Sequence, residues 1–302
     1  MQTLKLLLIV LVTICTSGRG ECCDRASFVN VSVTVVGVRG INVISGCLEP
    51  AGRIEKASYI QVINQSVPYL YRGAVRDLHN LNDFILDSSG VLYIEPGAFQ
   101  NVSSLRLLRL NQNYIEEIKE GVFNGLAITE LNLMSNIISI IERRAFDNMT
   151  RLAVLNLDNN RIGMWSEYWF FNCPEINTLS FKNNLLRRVP ARAFQNIRGQ
   201  HFLNGRNITT NIFLSGNNIE EMDPLTFEGL DVLGWLFLDG NKIRELDENL
   251  LGPVQQIDWM KLNSNELTCV PAKIVHKVRS VANYLEGNPL SDDCKNFLDT
   301  IR

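Results

Sequence analysis

Histidine is scarce in this chain: His79, His201 and His276 are the only three in 302 residues. No HExxH, nucleophile elbow, P-loop or dinucleotide glycine motif occurs, so hydrolysis, phosphoryl transfer and hydride transfer lack the residues that usually carry them. We expect no enzyme, no cofactor and no metal site. An excess of one charge is missing too. The net charge is −3 with no basic block, which argues against a nucleic-acid partner. Long apolar runs are absent beyond the first residues. Leu6 to Ile14 follows Lys5 and precedes the small residues Ser17, Gly18 and Gly20. It is too short to span a bilayer and reads as a secretory signal peptide over residues 1–20. No second run of about 18 apolar residues follows, and no hydrophobic tail precedes Arg302. The expectation is a secreted, extracellular chain without a transmembrane segment.

What the chain does have is a repeat. Leu105 to Phe123 reads L-x-x-L-x-L-x-x-N-x-I-x-x-I, with a Phe five residues further on. This is the signature of a leucine-rich repeat. The same frame, with apolar residues at places 1, 4, 6, 11, 14, 19 and 22 and Asn at place 9, fits nine units. They begin at Ala57, Leu81, Leu105, Ile128, Leu152, Ile176, Thr209, Leu233 and Ile257, and most steps are 23 or 24 residues.

The spelling has physical causes. Places 3 to 7 alternate outward and inward, as a short strand with one buried face does. The place-9 residues Asn113, Asn136, Asn160, Asn184, Asn217, Asn241 and Asn265 should form a ladder. One short amide can both donate to and accept from backbone groups left open by the turn, which Asp cannot. Phe99, Phe123, Phe146, Phe170, Phe194 and Phe227 at place 19 should stack along the back. A single unit cannot bury its apolar edge, so neighbours must pile up in one dimension. The fold class is an α/β-type repeat solenoid, a leucine-rich repeat horseshoe with a parallel concave sheet and N- and C-terminal caps.

Residues 21–56 read as an N-terminal cysteine-containing cap, residues 57–278 as the nine units and residues 279–302 as a C-terminal cap. The cap alternates as a strand from Phe28 to Val36 and would cover the first coil's open edge. Units one and two depart from the frame, with Gln65 and Ser89 at the Asn place, as terminal units often do. In unit five, Trp165, Tyr168, Trp169, Phe170 and Phe171 read as packing on the convex side, and Cys173 as a buried free thiol. Register is lost near residues 198–208, which reads as a loop insertion carrying the sequon at Asn207; four more sequons lie at Asn30, Asn64, Asn101 and Asn148. Cys47 can take Cys22 or Cys23 but not both. The remaining cysteine is left free, in a vicinal bridge, or crosslinking a second chain, so a disulfide-linked dimer stays open.

Function then rests on the surface. Outward places of nine parallel strands make a concave face about 40 Å long at roughly 4.8 Å per strand. Its middle is polar, with Arg109, Asn132, Asn156, Asp158 and Lys182. Its C-terminal third carries Phe213, Trp235, Phe237 and Trp259, with Lys261 beside them. Either a cap or the insertion folds over these rings, or they form an exposed apolar patch that binds a partner. Glu116-Glu117 and Glu220-Glu221 recur at places 12 and 13 and read as solvated turn residues.

The repeats resemble the 24-residue class with Phe at place 19 found in Toll-type receptors, Slit-type guidance factors and small matrix proteoglycans. The segment Gly287-Asn288-Pro289-Leu290 with Cys294 resembles the C-terminal cap of such extracellular proteins, although the second Cys of the usual Cys-x-Cys is absent. That resemblance implies a Cys269–Cys294 bridge. The leader, the Cys-bearing cap, the degenerate first unit and the LTCVP and GNPL end look most like the insect leucine-rich immune proteins of mosquito type, in a short form without a coiled coil. This likeness implies an innate-immune recognition or adaptor factor whose partner is an extracellular protein, such as a complement-like thioester protein or a second leucine-rich repeat chain. An adhesion, guidance or matrix role and a ligand-sequestering inhibitor are the alternatives.

Overall fold

The computed structural model describes residue 23 and residues 25–36, 42–52, 54–197, 209–278, 280 and 284–300. The leader, Cys22, His201, and the insertion with Asn207 lie outside the described residues.

The short strands of the nine units lie side by side as expected. Leu107–Arg109, Glu130–Asn132 and Val154–Asn156 pair in parallel, each residue facing the one at the same place of the next unit. The sheet continues to Gln256–Lys261 at one end and to Tyr59–Ile63 at the other. There the N-terminal segment adds two antiparallel strands: Phe28–Val35 pairs with Tyr59–Ile63, and Asn42–Gly46 forms the edge. Little helix is present, with Ala272–Lys277 and Asp292–Asp299 both near the C-terminus.

Alternation decides which side is buried. Leu105, Leu108, Leu110, Ile115, Ile118 and Phe123 of the third unit are all buried, and so are the same places of the other units apart from the half-buried Ile141, Trp165, Thr209 and Met222. The core is thus one continuous strip, not a set of separate cores. Along the side that follows the concave strands, here called the flank, places 13 and 14 pair in short parallel ladders. Examples are Glu117–Ile118 with Ile140–Ile141 and Arg188–Val189 with Glu221–Met222.

The asparagine ladder holds these coils in step. Asn160 Nδ2 donates to Leu157 O at 3.0 Å in its own unit and to Leu133 O at 3.1 Å in the preceding one. Its Oδ1 accepts from Ile138 N at 3.0 Å. Asn136, Asn184, Asn217, Asn241 and Asn265 repeat this pattern. Each carbonyl serves two successive amides, so removing one strands chiefly the N–H that donates to it, at about 1–3 kcal/mol. Gln65 shows why the first rung differs. Its longer side chain accepts from Ser32 N at 3.0 Å, on the antiparallel cap strand.

Two features extend past the sequence reading. Asn288 makes the same bonds as the ladder asparagines, to Leu262 O at 2.8 Å and Leu285 O at 2.9 Å, and accepts from Leu267 N at 3.1 Å. The Gly-Asn-Pro segment is therefore a tenth coil. The phenylalanine stack runs from Phe99 through Phe123 and Phe146 to Phe170, with centroids 5.9–6.4 Å apart, and resumes between Phe194 and Phe227 at 5.5 Å. Trp165 stands between the two runs, 6.0 Å from Phe170 and 5.1 Å from Phe194. Trp165, half-buried, and Trp169, buried, thus pack against the stack at the back of the coil, where the sequence reading puts them. Of the unit-five aromatics, only Tyr168 and Phe171 are exposed.

Cys269 is bridged to Cys294, with Cα atoms 5.4 Å apart. Cys47 takes Cys23, which closes the vicinal alternative for Cys23. Cys173 is free and fully buried, and its Sγ donates to Phe146 O at 2.8 Å. Burial pushes its thiol up to about 12, so it is inert at neutral pH.

Candidate protein-binding face

The concave residues divide into two groups. In the middle of the sheet the polar groups bond to their own scaffold. Arg109 pairs with Asp87 at 2.6 Å, and Asp87 Oδ1 accepts from Asn111 N at 2.9 Å. Asn132 and Asn156 each accept the backbone N–H two residues on, from Met134 at 3.2 Å and Asp158 at 2.9 Å. Asp158 Oδ1 accepts from Ser180 Oγ at 2.6 Å and Lys182 N at 2.7 Å. Asn132 and Asn156 thus close turns of their own strands through Oδ1, while Arg109 and Asp158 tie neighbouring strands together.

The C-terminal third is built from rings. Sheet register places Phe213 opposite Phe237 and Trp235 opposite Trp259. Phe213 contacts Phe237 edge-on at 5.1 Å and Trp235 at 6.2 Å, and Trp235 stacks on Phe237 at 6.0 Å. Lys182 Nζ lies 4.5 Å above the Phe213 ring and Lys261 Nζ 4.2 Å above that of Phe237. The two phenylalanine faces therefore carry their own cations. The tryptophans remain open: Trp235 is 47% and Trp259 43% exposed.

A glycine sets the aim of Trp235. Thr210 faces Leu233 but Ile212 faces Leu236, so one extra residue bulges from unit eight at this point. Gly234 occupies the bulge, and a Cβ there would meet Thr209 Oγ1 at 2.4 Å and Asn211 Oδ1 at 2.5 Å. The absence of a side chain lets Asn211 Oδ1 accept from Trp235 N at 3.0 Å.

The sequence reading missed a fifth ring. Tyr284, from the tenth coil, stands 5.8 Å from Trp259, and Lys261 reaches its ring at 5.5 Å. The C-terminal segment thus leans on Trp259 without covering it. The signal was available: Asn288 follows Leu285 by three residues, as place 9 follows place 6 in every other unit, and Tyr284 then falls at outward place 5.

The described sequon asparagines, Asn30, Asn64, Asn101 and Asn148, are all exposed, and none stands on the aromatic third. Among the described residues no group of three or more His, Cys, Asp or Glu could hold a metal. No described helix is long and apolar enough to cross a membrane.

Comparison with known proteins finds a BspA type leucine rich repeat region in six copies over residues 69–201 and 135–229, and a leucine rich repeat over residues 209–267. The leucine-rich repeat transmembrane protein FLRT2 of Homo sapiens is 26% identical over 170 residues, 55% of this chain and 24% of that protein. Asporin of Bos taurus is 33% identical over 106 residues, 35% of this chain and 27% of that protein. The chain thus spans about a quarter of the length of these curated relatives. In the solved mouse RP105/MD-1 complex, one chain superimposes with a TM-score of 0.62 at 19% identity, covering 79% of this chain and 39% of that one. A chain of the octameric complex of Latrophilin 3, Unc5D and FLRT2 gives 0.53 at 19% identity, covering 73% of this chain and 79% of that one. At these identities the structural likeness speaks for the fold alone. With repeats matched over more than half its length, the chain belongs to the leucine-rich repeat family.

Proposed function

We propose that this chain is a secreted protein-binding module that holds an extracellular protein on the C-terminal third of its concave face. The observation that carries the reading is the pair Trp235 and Trp259, in register on neighbouring strands and each close to half exposed. Two open tryptophans fixed on a rigid sheet bury a large area on contact and lose little side-chain entropy, the character of an interface hot spot. The module is non-catalytic in this reading, and binding alone is its activity.

Its role is innate-immune recognition or adaptor work, on the likeness of its cysteine-bearing cap and its LTCVP and GNPL end to the insect immune proteins; a complement-like thioester protein is the partner class that likeness supplies. A second reading, adhesion or guidance, draws on the similarity to FLRT2 over 55% of the chain and on FLRT2's complex with Latrophilin 3 and Unc5D. Capture from the extracellular fluid of the source organism, followed by mass spectrometry, separates the two. A thioester protein retained by the wild-type chain and lost by the Trp235→Ala, Trp259→Ala double variant supports the immune role. Retention of cell-surface receptors instead supports adhesion. Equal retention by wild type and double variant removes the concave patch from the account.

A further inference from the structure

The flank divides as sharply as the concave face does, but in the opposite sense. At places 10, 12 and 13, units seven to nine present Asn218, Glu220, Glu221, Lys242, Arg244, Glu245, Glu266 and Thr268. Three of these charges are settled within the chain, Glu221 by Arg188, and Arg244 and Glu266 by each other. Units two to six present apolar side chains to solvent at the same places. Leu92 is 46%, Tyr114 58%, Ile140 51%, Met164 82% and Leu185 48% exposed. They lie on consecutive coils, one to each, interleaved with the charges of the same places. An uncovered apolar row of this length marks a contact surface.

The charges along the row say what covers it. Unit three carries Glu116 and Glu117, unit five carries Arg161, and unit six carries Arg187 and Arg188. Unit four, between acid and base, carries only Ile137, Ser139 and Ile140 at these places. Glu116, Arg161 and Arg187 are exposed, and among the described residues none has an oppositely charged partner within 4 Å, whereas Glu117 pairs with Lys119 at 3.6 Å and Arg188 with Glu221.

A two-fold axis lying in the plane of the flank and along unit four would match each unit on one side with its counterpart on the other. Unit four then meets itself, Ile140 against Ile140. Unit three meets unit five place for place, setting Tyr114 opposite Arg161 with Glu116 two places along. Unit two meets unit six, setting Leu92 opposite Arg187 with Leu185 two places along. The unpaired acid and base of the face therefore fall beside each other across the axis, with Ile140 on it, as an isologous interface requires. The described sequons leave it clear: Asn101 and Asn148 fall at place 21 on the back, Asn64 at place 8 of unit one, and Asn30 on the cap strand.

We propose that two copies of this chain associate non-covalently through the flank of units two to six, centred on Ile140. The inference is independent of the concave-face reading, because no residue is shared between the two surfaces. The test is the solution mass of the mature secreted chain by light scattering on a sizing column at tens of micromolar, run in parallel on a Cys22→Ser variant. A dimer is expected in both. Ile140→Asp should give a monomer with an unchanged circular dichroism spectrum, as should Arg161→Glu and Glu116→Arg singly. The Glu116→Arg, Arg161→Glu double variant should recover the dimer, since the swapped charges meet again. A wild-type monomer at every concentration overturns the proposal, whatever else then covers the flank. So does a dimer lost in Cys22→Ser, which would be a crosslink. A dimer that survives Ile140→Asp places the contact elsewhere, and failure of the double swap to restore it refutes the pairing of units three and five.

Discussion

The middle of the concave sheet and its C-terminal third are built on successive parallel strands, from the same outward places. They differ in what those places do. Arg109, Asn132, Asn156 and Asp158 turn back to bond their own scaffold. Phe213, Trp235, Phe237, Trp259 and Tyr284 pack on one another and under Lys182 and Lys261, and two of them remain half open. An outward place in a repeat is therefore no site by itself. A short polar side chain there strengthens the coil, while an aromatic one, with fewer hydrogen bonds to make, leaves surface for a partner.

The sharpest way to break this contrast is at the tryptophans. Trp235→Ala with Trp259→Ala should weaken partner binding by about 4 kcal/mol, taking roughly 2 kcal/mol for each hot-spot residue, while the urea midpoint stays close to wild type. Binding titrations beside denaturation curves check it, and a large loss of stability would assign the pair to the core. Next in size is the ladder beneath the middle. Asn160→Ala strands Ile138 N and takes one of two ladder donors from Leu133 O and Leu157 O, which keep Asn136 and Asn184. It should cost about 2 kcal/mol of unfolding free energy, within the range for one unpaired buried group, with affinity per folded molecule unchanged.

Gly234→Ala joins the two effects. Its Cβ would fall 2.4 Å from Thr209 Oγ1, so the bulge must move, at about 1–3 kcal/mol. Trp235 should move with it, read as a shift in tryptophan emission and a weaker partner. The smallest effect on binding belongs to Arg109→Ala. Asp87 is buried and keeps its bond from Asn111 N but loses its cation, which costs about 1–3 kcal/mol of stability, while partner affinity should not change. A tenfold loss of affinity there would erase the distinction between middle and end.

Much of the fold was legible because the repeat writes the same physics nine times. Leucine at places 4 and 6, Asn at place 9 and Phe at place 19 each stand for one buried role, and their recurrence outweighs any single deviation. Legibility failed where a role passed to a residue of another kind. Trp165 fills the gap in the phenylalanine stack from outside place 19. The tenth coil has Ser280 and Asn283 at the apolar places 1 and 4, so its Tyr284 went unseen at the aromatic patch. The choice between Cys22 and Cys23 for Cys47 had no sequence signal, because adjacent residues share the same loop length. The flank row escaped notice since places 10, 12 and 13 carry no consensus, and only the exposed side chains of successive coils show it as a surface.

The central claim is that the open tryptophans, and not the polar middle, meet the partner. Hydroxyl-radical footprinting of the chain with and without its captured partner, read by mass spectrometry, tests it most directly. Oxidation of Trp235 and Trp259 should fall sharply in the complex, with Trp169, buried in both states, as the unreactive internal control. Undiminished oxidation of Trp235 and Trp259 in a fully bound sample would contradict the account.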